Sequence, residues 1–236
     1  MTGAPSLPRA PMRVFIVTAH PEPSSFNAAL RAEAVAALEA AGHEVRVSDL
    51  YAMGFDPVSD RRNFLTMADA GRFDQQAEER FASDHEGFEP RLQAEMDKLA
   101  GCDLLVLQFP LWWLGMPAIL KGWIDRVFAV GRAYGGGRWL QNGFFAGKRA
   151  MLSVTIGGRE AGYARDGTYG QSVPDILYPI SHGILAFTGF AVAEPFVVHA
   201  PGRMSARERA DVLRRYRDRL LGFGRADRQA PEAAAA

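Results

Sequence analysis

The sequence predicts an α/β fold in which a doubly wound, five-stranded parallel sheet carries helices on both faces. Two observations lead there. Short runs that are apolar at consecutive positions, as in strands covered on both sides, alternate with stretches whose apolar residues recur every three to four positions, as in one-sided helices. With 236 residues, 48% of them hydrophobic, the chain also has enough apolar material for one sizeable domain with its own core. Strand and helix alternating throughout one chain imply parallel pairing and right-handed crossovers.

The elements follow in order. Arg13 to Ala19 (RVFIVTA) is β-branched and apolar on successive positions and reads as the first strand. After a loop at His20 to Ser24, Leu30, Ala34, Leu38 and Ala41 recur at helical spacing, and Gly42 supplies a stop. His43 to Leu50 gives the second strand. Tyr51 to Pro90 is too long for an ordinary connection and is expected to be a partly helical excursion over the surface or toward a partner chain. Arg91 to Gly101 sets Leu92, Met96 and Leu99 on one stripe. Asp103 to Pro110 is the third strand, Met151 to Gly158 the fourth and Phe196 to Ala200 the fifth. Helices are expected over Ala118 to Val130, Val173 to Thr188 and Ala206 to Leu221, the last opened by a Ser205/Glu208 capping box. The domain is set at 13–222. The segments 1–12 and 223–236, rich in small residues and proline, are expected to be disordered tails.

Composition narrows the function classes. Lys+Arg equals Asp+Glu, so the basic excess of a nucleic-acid binder is missing. The Arg-rich run from Arg203 to Arg228 reads as a solvated helix face. The single cysteine, Cys102, stands just before an apolar run and is expected to be a buried, inert thiol. The N-terminus lacks the apolar core of a secretory signal, and no stretch is long enough to span a bilayer. The expectation is a cytoplasmic protein with no membrane insertion.

In a sheet of this kind, ligands bind beyond the carboxyl ends of the strands. The loop after strand one, TAHPEPSSFNAAL, has neither the Gly-x-Gly-x-x-Gly turn nor the Walker lysine. It offers an imidazole, His20, two hydroxyls, Ser24 and Ser25, and the amides of a helix N-terminus, which together can hold a phosphate. A serine here is equally an ordinary N-cap. After strand three, Pro110 and Pro117 stiffen a segment in which Trp112, Trp113 and Leu114 form an apolar ledge suited to a planar heterocycle, to a core or to a subunit interface. After strand four, Gly157 and Gly158 allow close approach of the main chain to a ligand, and Tyr163 and Tyr169 supply phenols. No metal-ligand set is expected.

These segments carry a resemblance. FPLWWLGMPAILKGWIDRVF, TAHPEPSSFNAAL, SVTIGG and PISHGILAFTGF resemble the corresponding parts of the flavodoxin-like NAD(P)H:quinone oxidoreductases, the DT-diaphorase-type flavoproteins and their bacterial relatives, from about Arg13 to Leu221. The resemblance implies a flavodoxin-like fold and a noncovalent FAD bound across a homodimer, reduced by NAD(P)H and reoxidised by a quinone through a ping-pong hydride transfer. Position by position, His20, Ser25, Phe26 and Asn27 match the pyrophosphate loop. Pro110, Leu111, Trp112, Trp113 and Leu114 match the segment along the isoalloxazine, and Thr155, Gly157 and Gly158 the loop at its pyrimidine edge. Tyr163 falls where the family tyrosine bonds the flavin, Arg209 near an adenine contact, and Asp125 at an acidic position.

The sequence also departs from the family. Tyr169 stands where mammalian members have a histidine proposed to take up charge, and a phenol, titrating at about 10, can only donate a hydrogen bond near neutral pH. Ile156 replaces a hydroxyl and Gly136 a substrate-facing tyrosine, which implies a roomier pocket. His182 reads as a supporting or surface residue. Two rival readings stand beside the main one: an FMN-dependent azo- or nitroreductase, and a flavin-bearing ancillary subunit of a potassium-efflux system.

Overall fold

The computed structural model describes residues 11–224. Most of the two expected tails lies outside the described residues. Met12 and Phe223, placed in those tails, are buried, so the packed domain reaches one residue further at each end than 13–222.

Five strand positions form one parallel sheet. β1 (Arg13–Thr18) lies between β2 (Glu44–Asp49) and β3 (Leu104–Pro110), and β4 (Arg149–Ile156) follows β3. The fifth position is shared by two short pieces, β5 (Ala191–Val192) and β6 (Phe196–His199), both parallel to β4. β5 pairs with Arg149 and Ala150 and β6 with Ser153 to Ile156, and the break between them falls at Ala193-Glu194-Pro195. The expected single strand at Phe196 to Ala200 is thus one half of an interrupted edge. Pro195 lacks the N–H that an unbroken ladder needs there. The order β2-β1-β3-β4-β5 has its switch between β1 and β3, and a ligand crevice is expected beyond the carboxyl ends of those strands.

Helices cover both faces. α1 (Phe26–Ala40) and α6 (Ala206–Phe223) bury Leu30, Ala34, Leu38, Val212, Tyr216 and Leu220 on one side. The other side is covered by α3 (Pro90–Gly101), α4 (Ala118–Val127) and α5 (Val173–Ile180). Gly42 follows the end of α1 at φ +82, the left-handed conformation that stops the helix. The Ser205/Glu208 capping box opens α6, with Ser205 Oγ accepting from the Glu208 amide and the Glu208 carboxylate from the Ser205 amide. α4 is shorter than expected, ending at Val127. α5 stops at Ile180 and continues to Ala186 as a wider π-type turn, because Pro179 within the helix removes a backbone donor.

A buried carboxylate fixes α4. Glu95 on α3 accepts from Trp123 Nε1 at 2.9 Å and Ser48 Oγ at 3.0 Å, and pairs with Lys98 Nζ at 2.5 Å. Both of its oxygens are engaged and a cation is paired with it, which is the condition for burying a charge without a large penalty. The 51–89 excursion carries α2 (Gln75–His85) and lies over α4. Its Phe64, Ala82 and Phe88 join the core on that face. Gly122 of α4 meets Pro57 so closely that an added Cβ would sit 2.2 Å from the Pro57 carbonyl oxygen.

Candidate functional site

The loops that leave β1, β3 and β4 come together at the carboxyl edge. Thr18 is in register with Gln108, and Pro110 with Thr155. Leu111 continues the ladder by donating its amide to the Thr155 carbonyl at 2.8 Å. The rings of His20 and Trp112 lie 6.4 Å apart, so the first two loops adjoin.

In the β1 loop the hydroxyls are already engaged. Ser25 is the N-cap of α1, its Oγ accepting from the Ala28 amide at 3.2 Å. Its own O–H stays available as a donor. Ser24 donates its amide and hydroxyl to Glu22 at 2.8 and 2.6 Å, and these bonds hold the Glu22 carboxyl below its ordinary range. His20 Nδ1 accepts from the Glu22 amide at 3.0 Å, which leaves Nε2 as the nitrogen that carries the proton of a neutral ring. Phe26 lies under the Arg209 guanidinium, 6.0 Å from its ring centroid, so Arg209 is held beside the start of α1.

Asn27 turns inward. Its Nδ2 donates to Thr155 Oγ1 at 2.7 Å, and its backbone carbonyl accepts from Gln108 Nε2. Gln108 in turn accepts from the Tyr216 hydroxyl at 3.1 Å. This buried chain joins α6, β3, α1 and β4 beneath the crevice and sets the first and third loops relative to each other. Asn27 Oδ1 is buried with no partner among the described residues.

The β3 loop carries the strongest signal. Trp112 and Gly115 exchange backbone hydrogen bonds at 3.0 and 2.9 Å around Trp113 and Leu114, whose φ values are +50 and +56. Two residues at positive φ define a type I′ turn, normally built from Asn and Gly. With Trp and Leu the turn is strained, and such strain concentrates at functional positions. The turn lifts Trp113 clear of the protein: its side chain is 103% exposed and Trp112 is 41% exposed, whereas Trp123 in α4 is fully buried. Of the three readings the sequence left open, an interior role for the indole pair does not hold.

After β4, Gly157 has open space where a Cβ would point, which leaves its main chain accessible. Gly158 serves a different approach: an added Cβ would meet Tyr163 Cε2 at 2.9 Å, so the residue makes room for the Tyr163 ring. The Tyr163 ring lies against that of Tyr169, tilted by 33° with centroids 4.6 Å apart. Burial and the neighbouring Tyr169 push the Tyr163 phenol upward, which keeps it a protonated donor at neutral pH. Tyr169 is exposed.

Other candidates lie elsewhere. Asp125 pairs with Lys121 at 2.6 Å on the exposed side of α4 and borders a separate cavity of about 400 Å³ with Gln75, Glu79, Tyr134 and Phe187. His182 stacks on Tyr178, Gly136 is exposed at φ +60 with nothing near it, and Ile156 is fully buried. Burial raises the Cys102 thiol to about 11, which agrees with an inert side chain. The sequence reading passed over His199, the last residue of β6, whose ring centroid lies 5.7 Å from that of Tyr163. Its place at a strand's carboxyl end was the available signal.

Among the described residues no helix is long and apolar enough to cross a membrane, and no group of three His, Cys, Asp or Glu is placed to hold a metal ion. Residues 12–220 match a family described as having a flavodoxin-like fold. NAD(P)H dehydrogenase [quinone] 1 of Cavia porcellus is 42% identical over 209 residues, 88% of this chain and 76% of that protein. The human ribosyldihydronicotinamide dehydrogenase [quinone] is 39% identical over 88% of this chain and 90% of its own. A crystal structure assigned to a quinone reductase of Klebsiella pneumoniae superposes with a TM-score of 0.86 at 40% identity, covering 90% of this chain and 85% of that one. General stress protein 14 of Treponema denticola, solved in complex with FMN, superposes with a TM-score of 0.57 at 26% identity, covering 91% and 98%.

Proposed function

The chain belongs to the flavodoxin-like fold family and, within it, to the NAD(P)H:quinone oxidoreductases, and from that premise we propose that it is an FAD-dependent, cytoplasmic enzyme that reduces quinones with NAD(P)H by a ping-pong mechanism. The observation that carries the reading is the strained, outward Trp113 turn at the switch side of the sheet, next to a phosphate-type loop and a phenol donor. A flat apolar ring resting on this ledge removes exposed aromatic surface from water, which is what makes the turn worth its strain.

The residues fit a flavin. Bound flavin would supply the two-electron redox chemistry between NAD(P)H and the acceptor. The chain's own residues do the rest. His20 Nε2, the Ser25 hydroxyl and the first amides of α1 hold the phosphate end. Trp112, Trp113 and Leu114 support the ring, with Pro110 and Leu111 fixing the ledge to β3. Gly157 presents an open main chain, and Tyr163 would donate to the ring edge where negative charge would collect on reduction. Asn27 and Thr155 act from below by locking the two loops together. Arg209 beside Phe26 is placed for the far end of a dinucleotide. The exposed indole favours a homodimer in which the second copy closes the site.

FMN is the second reading, supported by the FMN complex of the Treponema protein. Glu22 weighs against it here. Its carboxylate engages Ser24 and adds negative charge to the loop, which suits a pyrophosphate diester better than a terminal phosphate dianion. The test is the visible spectrum of the purified protein, its anaerobic response to NADH and then menadione, and chromatography of the acid-released cofactor. Bleaching and recovery with released FAD is the expected result. A colourless protein that takes up no FAD overturns the reading, and released FMN replaces it with the second.

A further inference from the structure

Tyr169 stands where the resemblance places a histidine in mammalian members, yet an imidazole from another strand does lie beside Tyr163. His199 ends β6 in register with Ile156, immediately beneath the Gly157-Gly158 loop. Its neighbours Phe196 and Val198 pack with the α1 and α6 layer, and Val197 with the opposite one. Alternation along the strand therefore turns His199 to the side where Tyr163 lies. The ring centroids are 5.7 Å apart, and Tyr163 sits between His199 and Tyr169. His199 Nδ1 is buried with no hydrogen-bond partner among the described residues. A buried ring nitrogen left without a partner is costly in a finished fold, and the Tyr163 ring is tilted 49° beside it.

Resting on the flavoenzyme reading above, we propose that His199 is a positioning residue that acts through Tyr163, giving a hydrogen bond to the phenol oxygen and so strengthening the phenol as a donor toward the charge of reduced flavin. A neutral imidazole carries one N–H, which is all that this hydrogen bond requires. Oxidised flavin presents little charge at that edge and gains little from the arrangement. The contribution is therefore a difference between the two redox forms and not a uniform gain in affinity.

The test compares wild type, His199→Phe and His199→Asn, each alone and combined with Tyr163→Phe. FAD affinity is measured by fluorescence titration, and the midpoint potential of the bound FAD supplies the ratio of affinities for the reduced and oxidised forms. Loss of a hydrogen bond that strengthens with charge is expected to weaken reduced-flavin binding about tenfold or more, while oxidised-flavin affinity stays within about threefold. In the Tyr163→Phe background the His199 substitutions are expected to add nothing. Equal loss for both redox forms, or an effect that persists without the phenol, overturns the inference while leaving the flavoenzyme reading standing. A wild-type protein that takes up no flavin overturns both. Either His199 variant suffices if the other fails to fold.

Discussion

Replacing Trp113 by glycine tests the ledge by separating folding from ligand binding. The side chain is 103% exposed, so its removal takes no packed surface from the interior. Its backbone stands at φ +50, where a non-glycine residue carries a penalty of about 1–2 kcal/mol that glycine escapes. Against that gain stands the larger unfolded-state freedom of glycine, about 0.4–1 kcal/mol. The balance runs from about zero to about 1.5 kcal/mol in favour of the variant, a rise of up to roughly 5 °C in Tm for a domain of this size. Flavin affinity moves the opposite way. Losing one stacked indole face, about 100 Å² at roughly 25 cal/mol/Å², removes about 2.5 kcal/mol, or roughly 70-fold in Kd. The assay pairs thermal unfolding of the flavin-free protein with FAD titration, both at one protein concentration so that any self-association contributes equally. If the flavin-free variant loses more than about 1 kcal/mol, the indole is packed and the assignment of the turn fails. If FAD affinity is unchanged, the ring does not rest on this ledge.

The remaining predictions concern the frame beneath the site. Gly122→Ala drives a methyl to 2.2 Å from the Pro57 carbonyl oxygen and is expected to lower stability by about 2 kcal/mol or more, read from the urea midpoint; a neutral result means the excursion does not rest on α4. Tyr216→Phe deletes the buried hydroxyl that donates to Gln108 at 3.1 Å, costing about 1–1.5 kcal/mol in denaturant unfolding and weakening FAD binding through the Gln108–Asn27 link; unchanged FAD affinity would show that the link does not reach the site. The folded Cys102 thiol, raised to about 11 from an ordinary 9.0, contributes stability that is complete below pH 9 and is lost as the pH climbs toward 11. The stability difference between wild type and Cys102→Ala should therefore narrow over that window, and a difference that is flat with pH refutes the burial of the thiol.

Much of the fold was legible because burial on both faces leaves a plain imprint. β3 is buried at every position, and its run Leu104 to Pro110 was read as a strand from apolar continuity alone. The capping box of α6 and the Gly42 stop are local devices and stood where the sequence put them. What failed lay at two prolines, whose missing backbone donors break an element that the apolar pattern carries straight through. The outer strand splits at Glu194-Pro195, and α5 gives way to a wider turn after Pro179. Composition could not separate Trp113 from Trp123, since indoles are found equally at ligands, interfaces and cores. The exposed one is distinguished by backbone dihedrals and the buried one by a carboxylate from α3. Ser25 illustrates a reading that was not a choice between alternatives, because it caps the helix and keeps a hydroxyl proton for a ligand. His199 carries no loop signal, because it belongs to the strand itself.

The interruption at Ala193-Glu194-Pro195 also governs what the molecule can do with its neighbours. An outer strand two residues long followed by one of four offers no unbroken row of amides for another backbone to zip onto. At the opposite border, β2 alternates the charged Glu44 and Arg46 with Val45 and Val47 and ends at Asp49, which studs that rim with charge. With both rims blunted, neither border presents the long, flat, unpaired edge on which further backbones stack.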